Sequence, residues 1–400
     1  MTRIKPRRVA VVHSFYNAAT PSGENSVVNT QVAALEKMYE VELLARRTPE
    51  VSSTITYLAR SSMYSSGIFS DESILRNIAD FRPDIVHVHN TFPNIGTTWA
   101  KRCRVPIVTT IHNYRSVCAN GLLWRDGNDC SLCPTRGTQH SVIHRCYRAS
   151  ALATIPLAIS TRRSARGGRL LNSSAALVFL NPSALAKMER YVSDVAKVVI
   201  PNFAPKPTDT GARAPAERVG WAYVGRITLE KNVRWLVKQK MYRDEPLFIA
   251  GAGPDSEAVA ASLSSFGSSR TKMLGQITET EVDRLLGTVR GLIVPSLWSE
   301  GLPTVAIKAL AAGCPVLISK MCDSADQIVA GGAGLVFDPM VSSGATSLSA
   351  AQEIVADRQM FHSARASQRF TSDFSESIWS ERMDLLYRNV LKQKAGQAID

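Results

Sequence analysis

The sequence predicts two α/β domains, each built on a doubly wound parallel sheet, and three observations carry that reading. The chain has 400 residues, more than one hydrophobic core usually supports, so two domains of roughly 150 to 200 residues are expected. Short apolar, β-branched runs alternate with longer helical patterns, at 9–12, 85–88, 107–111 and 177–180, and again at 221–224, 247–250, 292–295 and 316–318. That alternation implies parallel strands with helices packed on them. Between 201 and 217 the pattern lapses into PNFAPKPTDTGARAPAE, where proline and small polar residues leave no apolar period, and this reads as the interdomain linker. Two such sheets place a ligand cleft between their carboxyl ends. The last segment, 375–391, spaces Ile378, Met383, Leu385, Leu386 and Val390 as the apolar face of an amphipathic helix.

Composition fits a globular protein, with 45% hydrophobic and 20% charged residues. No apolar run approaches the ~18 residues a spanning helix needs, and ALATIPLAIS, from Ala151, is too short. The opening MTRIKPRRVAVVHSF passes straight into a strand without a small-residue cleavage site, so a cytoplasmic protein is expected. The formal charge of +13 calls for nucleic acid, an anionic membrane surface or a phosphate-bearing substrate. Arg145, Arg148, Arg162, Arg163, Arg166 and Arg169 fall in one segment, either a solvated face or a basic patch. That cluster lacks interleaved aromatics and no nucleic-acid-reading motif occurs, so a nucleic-acid partner is not expected.

The second half carries the clearest chemistry. In WAYVGR a buried strand ends in Gly225 and Arg226, with Lys231 five residues on. Two cations at a strand's carboxyl end suit a diphosphate: arginine offers a planar fork, lysine a compact charge, and glycine allows close backbone approach. Further on, GLIVPSLWSEGLPTVAIKALAAGCPVLIS reads as strand, loop, helix and strand. Helix onset near Gly301, Leu302, Pro303 and Thr304 presents free amides and a positive dipole end to a phosphate, and proline suits the first turn. Glu300, just outside that turn, is placed to accept hydrogen bonds from sugar hydroxyls. LFIAGAGPD lacks the third glycine of a dinucleotide fingerprint and reads as a strand and tight turn, with no nicotinamide cofactor implied.

In the first half, Pro21, Ser22 and Gly23 precede a helix, which makes either a phosphate-approaching turn or an ordinary one. His87, His89 and His112 lie at or near the ends of two strands. His87 and His89 share a face by period-two spacing, but without an acidic third ligand a packing role is favoured over a metal pair.

Taken together, YVGRITLEKN, LFIAGAGP and SEGLPTVAIKALAAGCPV resemble the donor half of glycosyltransferase family 4. The resemblance covers most of the chain and implies the GT-B fold, two Rossmann-like domains facing across a cleft. It implies residues 1–203 as the acceptor-side domain, with a cysteine-rich insertion at 113–148, and 204–372 as the nucleotide-sugar domain. A helix at 373–400 is expected to pack back on the first domain. It further implies that Arg226 and Lys231 bind the diphosphate, that Glu300 contacts the donor sugar, and that His112 hydrogen-bonds that sugar. Transfer would be retaining and independent of metal, with the departing phosphate taking the acceptor's proton. Ser22-Gly23 stands where the family has a double glycine. Lys308 stands where the family has the second glutamate of E-x7-E, which accepts from the ribose hydroxyls. A lysine has three donors and no acceptor, so the expectation divides between an altered nucleotide contact, a lysine turned to phosphate, and a non-catalytic binding or scaffold protein.

Cys118, Cys130, Cys133 and Cys146 fall at C-x11-C-x2-C-x12-C. In a cytoplasmic protein they are either free thiols or a structural zinc site, with His140 or His144 as substitute ligands. The surrounding HNYRSVCANGLLWRDGNDCSLCP resembles a subgroup of the family that builds bacterial surface polysaccharides. The expected partners are a nucleotide diphosphate sugar, a glycan or lipid-linked saccharide acceptor, and an anionic surface at the inner face of the plasma membrane.

Overall fold

The computed structural model describes residues 6–17, 23–49, 55–164, 169–192, 195–207, 211–240, 244–266, 270–340 and 347–397. Pro21, Ser22 and Arg166 lie outside the described residues, as do the side chains of Arg163 and Arg169. The chain forms two compact units: Met1–Arg125, Asp129–Pro201 and Trp379–Asp400 make the first, Asp126–Asn128 and Asn202–Ile378 the second.

The first unit holds strands β1 (Arg8–Phe15), β2 (Glu40–Arg47), β3 (Ile85–Asn90), β4 (Ile107–Ile111), β7 (Ser174–Phe179) and β8 (Ala196–Val199), and the chain also forms the two-residue strands β5 (Trp124–Arg125) and β6 (Asn128–Asp129). The first unit's helices are α1 (Gly23–Glu36), α2 (Ile55–Ser65), α3 (Ser73–Phe81), α4 (Leu132–Arg136), α5 (Gln139–Ile143), α6 (Ala151–Ser164), α7 (Arg169–Ser173) and α8 (Pro182–Met188). The main sheet is parallel, ordered β2-β1-β3-β4-β7-β8. Its central strands are apolar and buried on both faces, as Val9 to Val12 show, because helices cover each side. The edge strand β2 carries Glu40 and Arg47 into solvent.

The second unit holds β9 (Trp221–Val224), β10 (Leu247–Ala250), β11 (Thr271–Gly275), β12 (Gly291–Val294), β13 (Val316–Ser319) and β14 (Gly334–Phe337). Its helices are α9 (Val233–Leu236), α10 (Ser256–Phe266), α11 (Glu279–Thr288), α12 (Thr304–Ala311), α13 (Ala325–Val329), α14 (Leu348–Asp357) and α15 (Gln359–Arg369). The sheet is again parallel, ordered β11-β10-β9-β12-β13-β14. Strand order reverses between β1 and β3 in one sheet and between β9 and β12 in the other, and such reversals open a crevice at the strands' carboxyl ends. The predicted pair of doubly wound parallel sheets is therefore what the chain folds into. The stretch read as linker is not wholly loose, since Asn202 to Ala204 are buried and Ala204 N–H donates to Phe374 O at 3.3 Å.

Helix α16 (Glu376–Gln397) ends the described chain, and from Trp379 onward it belongs to the first unit. Its buried side chains are Trp379, Met383, Leu386, Tyr387 and Val390, whereas Leu385, read from the sequence as inward, is 59% exposed. A stripe at intervals of three and four places Tyr387 beside Met383, and Leu385, two residues from each, falls about 160° around the helix from both. Tyr39 Oη donates to Asp384 Oδ1 at 2.6 Å. The Tyr387 hydroxyl shares a hydrogen bond with His87 Nδ1 at 2.7 Å, and His87 Nε2 is bonded with Thr110 Oγ1 at 2.7 Å. Both nitrogens are used inside the unit, so His87 neither faces a cleft nor serves a metal. His87 stacks on His89, ring centroids 4.3 Å apart, and His89 Nδ1 is bonded with His112 Nε2 at 2.9 Å.

Burial pushes these imidazoles down: His13 to about 4, His87 and His112 to about 3, and His89 well below its usual value. In the unfolded chain each titrates near 6.5. Below that pH the unfolded chain takes protons the folded unit refuses, so stability present above pH 6.5 is lost on acidification toward pH 4. One such imidazole costs about 1.4 kcal/mol at pH 5.5. The melting temperature is expected to fall by several degrees between pH 7.5 and 5.5, less steeply in His87→Gln; a melting curve flat over that interval would contradict neutral histidines.

Candidate functional site

In the second unit the site is built at the β9 and β12 ends. The loops after β9 and β10 touch backbone to backbone: Gly225 N–H donates to Ala250 O at 2.9 Å and Ile227 N–H to Ala252 O at 3.0 Å. A Cβ on Gly251 would lie 1.8 Å from Gly225 O, and one on Gly253 would lie 2.2 Å from Ile227 O. The two glycines of LFIAGAGP therefore exist to let this contact form. The contact fixes Arg226, whose carbonyl accepts from Tyr223 Oη at 2.5 Å while its side chain stays exposed, without a carboxylate partner among the described residues.

Five residues on, the Lys231 ammonium is paired with Glu300 Oε1, with the Trp298 ring centroid 5.7 Å from its Nζ. Ser296 Oγ donates to the other carboxylate oxygen at 2.7 Å. Both side chains are largely withdrawn from water, so the pair is strongly coupled and each charge depends on the other for compensation. The sequence places Lys231 and Glu300 in one motif set but does not announce that they meet, nor that Glu300 spends both oxygens on protein donors. Gly301, Leu302 and Pro303 lead from Glu300 into α12, which starts at Thr304 with Pro303 as its N-cap rather than inside the first turn. Thr228 Oγ1 and Trp298 Nε1 are shut from solvent with no hydrogen-bond partner among the described residues, and the sequence signals neither.

Lys308 finds its carboxylate partners on α11. Its ammonium pairs with Glu279 at the start of α11, and Asp283 Oδ1 lies 4.0 Å off. Burial raises the Asp283 carboxyl, and Lys308 draws it back down.

In the first unit a cavity of about 140 Å³ lies between α2 and α6, with His89, Asn90, His112, Asn113 and Arg115 among its lining residues at the β3 and β4 ends. Gly23, exposed, is the first residue of α1. Beside it stands a residue the sequence reading missed: Glu24 Oε2 accepts from Asn113 Nδ2 at 3.4 Å, and Oε1 is shut from solvent with no partner among the described residues. Burial raises this carboxyl to about 7, against the pull of Arg115, Asn90 and Asn113. Stability from that shift is present below about pH 4.5 and lost as pH rises toward 7, opposite to the imidazoles. The Arg115 guanidinium lies 4.2 Å from the Phe92 ring centroid, and its Nε is buried without a partner among the described residues. A free acceptor and a free donor on neighbouring groups suit a hydroxyl, which donates and accepts at once.

The four clustered cysteines are reduced. Cys133 is pushed up to about 12 by burial first and then by Cys118, Cys146 and Cys130, so the thiols do gather. Among the described residues, however, no group of three or more His, Cys, Asp or Glu side chains is arranged to hold a metal ion.

Known proteins bear on this geometry. The family described as Glycosyltransferase Family 4 matches residues 21–203, and that described as Glycosyl transferases group 1 matches 214–362. A glycogen synthase of Mycobacterium tuberculosis is 27% identical over 310 residues, 74% of this chain and 66% of that protein. EpsF of Bacillus subtilis is 28% identical over 262 residues, 63% of this chain and 60% of that protein. The chain thus spans less than two thirds of the length of these relatives. Sucrose-phosphate synthase from Thermosynechococcus elongatus superimposes with a TM-score of 0.68 at 16% identity, covering 97% of this chain and 100% of that one. HepE of Anabaena, solved with UDP and glucose, gives 0.59 at 10% identity over 94% and 98%. With two consecutive family matches and this shared pair of Rossmann-like halves, the chain belongs to glycosyltransferase family 4 and has the GT-B fold.

Proposed function

We propose that the protein is a retaining, metal-independent hexosyltransferase that moves a sugar from a nucleotide diphosphate to a hydroxyl of a glycan or lipid-linked saccharide in cell-surface polysaccharide synthesis. The observation that carries this is the exposed, unpaired Arg226 beside the Lys231–Glu300 pair, at the strand-order reversal of the second unit. The bond from the sugar to the diphosphate breaks, the bond to the acceptor oxygen forms on the same face, and a departing phosphate oxygen takes the acceptor's proton. Arg226, Lys231 and the α12 amides hold the charge that develops on the diphosphate. HepE, of the same fold, is solved with UDP and glucose, which supports a nucleotide-sugar donor. His112 is held through its Nε2 by His89, so its Nδ1 side is the one left for a sugar.

A panel of nucleotide diphosphate sugars should include one that raises the melting temperature, since ligand at ~100 times its dissociation constant contributes ~2.7 kcal/mol. With that donor, Arg226→Ala is expected to lower transfer by ~10²-fold or more, and Lys231→Ala likewise. Transfer unaffected by the combined change would remove both residues from the site.

Glu279, positioned by Lys308, is proposed to supply the carboxylate that the family pattern places at 308. Glu279→Gln should then weaken donor binding about tenfold, the effect of one charged hydrogen bond. Lys308→Glu alone should also weaken it, and the exchange Glu279→Lys with Lys308→Glu should restore it in a titration by calorimetry. Binding indifferent to all three changes would leave this corner outside the nucleotide site.

Glu24, with Arg115, is proposed to take the acceptor hydroxyl. Acceptor kcat/KM should rise as pH passes through about 7, where the carboxyl ionises, and Glu24→Gln should flatten that rise while sparing donor binding. An unchanged profile would assign the ionisation elsewhere.

A further inference from the structure

Helix α6 carries apolar side chains on both of its sides, and one of those sides is open to solvent. Leu152, Ile155 and Ile159 are 81%, 40% and 37% exposed, spaced by three and four residues, while Thr154, Leu157, Ala158 and Thr161 on the opposite side are buried. A surface helix of a soluble domain normally turns its apolar stripe to the core. Helix α2, packed beside α6, repeats the pattern: none of its residues is buried, and Ile55, Leu58 and Met63 stand in solvent. Single exposed apolar residues need no explanation, but two adjacent helices presenting them together do.

Charge identifies what fits this face. From residue 130 to 188 the sequence carries seven arginines and one lysine with no carboxylate, and from 51 to 70 it carries one arginine and again no carboxylate. Arg136, Arg145, Arg148 and Arg162 are exposed, and none is paired with a carboxylate among the described residues. Arg162 stands three residues beyond Ile159 and so continues the α6 stripe. A second copy of this chain would bring like charges face to face. Apolar side chains with the unpaired Arg162 on the same stripe, and the unpaired Arg145 and Arg148 just ahead of the helix in the chain, match a layer of anionic headgroups over acyl chains. No helix among the described residues is long and apolar enough to cross a membrane, so contact would be from one side.

The cavity between the same two helices reaches from Tyr64 and Ser65 on α2, and Leu157 and Ser160 on α6, to His112 and Asn113 at the end of β4. We propose that the α2–α6 face docks the first unit on an anionic bilayer surface, and that the slot between the helices receives the saccharide headgroup of a lipid-linked acceptor. The second half of that statement rests on the glycosyltransferase reading; the docking itself does not.

The test is sedimentation of the full chain with vesicles of phosphatidylglycerol and phosphatidylcholine, against phosphatidylcholine alone. Binding is expected to be at least about tenfold stronger to the anionic vesicles and to weaken with added salt without vanishing. Leu152→Ser with Ile155→Ser, and separately Arg145→Gln with Arg148→Gln, should each lower it about tenfold, with the melting temperature and its rise with UDP unchanged. Equal sedimentation with both vesicle types would overturn docking, as would full binding by the fourfold variant. A concentration-dependent dimer abolished by Leu152→Ser, with no vesicle binding, would make a second copy the occupant and also overturn it. Vesicle binding that persists while no nucleotide shifts the melting curve would instead count against the enzymatic reading alone.

Discussion

Parallel strands all finish at the same edge, and that constraint organises both halves of the molecule. Whatever chemistry follows a strand in the sequence is delivered to one side of the sheet, and where strand order reverses, two such deliveries flank a gap. In the second unit the two deliveries are the Gly225 to Lys231 loop and the Ser296 to Glu300 loop, which meet as an ion pair. In the first, they are the ends of β1 and β3, with β4 beside them, which bring Glu24, Asn90 and His112 into one neighbourhood. The glycine contact between the β9 and β10 loops is the tightest expression of this rule, since two strand exits leave no room for a side chain between them.

What the sequence made legible follows from the same geometry. Arg226, Lys231 and Glu300 could be read because each sits within a few residues of a strand end, so chain spacing approximates spatial spacing. Their mutual pairing could not be read, because 69 residues separate Lys231 from Glu300 and only the fold joins them. Lys308 was conspicuous as a departure from the family pattern, but its partners Glu279 and Asp283 come from another helix and emerge only with packing. Glu24 went unread, because nothing local distinguishes a first-turn acid that folding will bury from the many solvated ones. Leu385 and Tyr387 exchanged places because an apolar residue and an amphipathic one were ranked by type, while the helix ranks them by angle.

The two units also treat charge differently. At the strand ends of the first sheet, four imidazoles are pushed down and one carboxyl is pushed up, chiefly by loss of water, while the unit's enclosed charged pair, Arg46 with Asp71, sits at β2 on the sheet edge. Around the second, opposite charges are enclosed as a pair. A neutral, hydrogen-bonding pocket suits hydroxyl-bearing saccharides, and a paired cation next to an unpaired one suits a multiply charged anion. The division of labour suggested for acceptor and donor thus has a counterpart in how each half handles ions.

The bond between Tyr387 and His87 joins residues 300 positions apart, and that between Tyr39 and Asp384 spans 345. During synthesis the first sheet can assemble early, but two of its buried or half-buried polar groups find their partners only after the second unit has been made. Until α16 arrives, His87 lacks its tyrosine and the face that Trp379 and Met383 will cover is open. The first part of the chain to be made is therefore the last to be finished, and a nascent chain halted before α16 would hold an incomplete first unit alongside a second unit whose sheet is already whole.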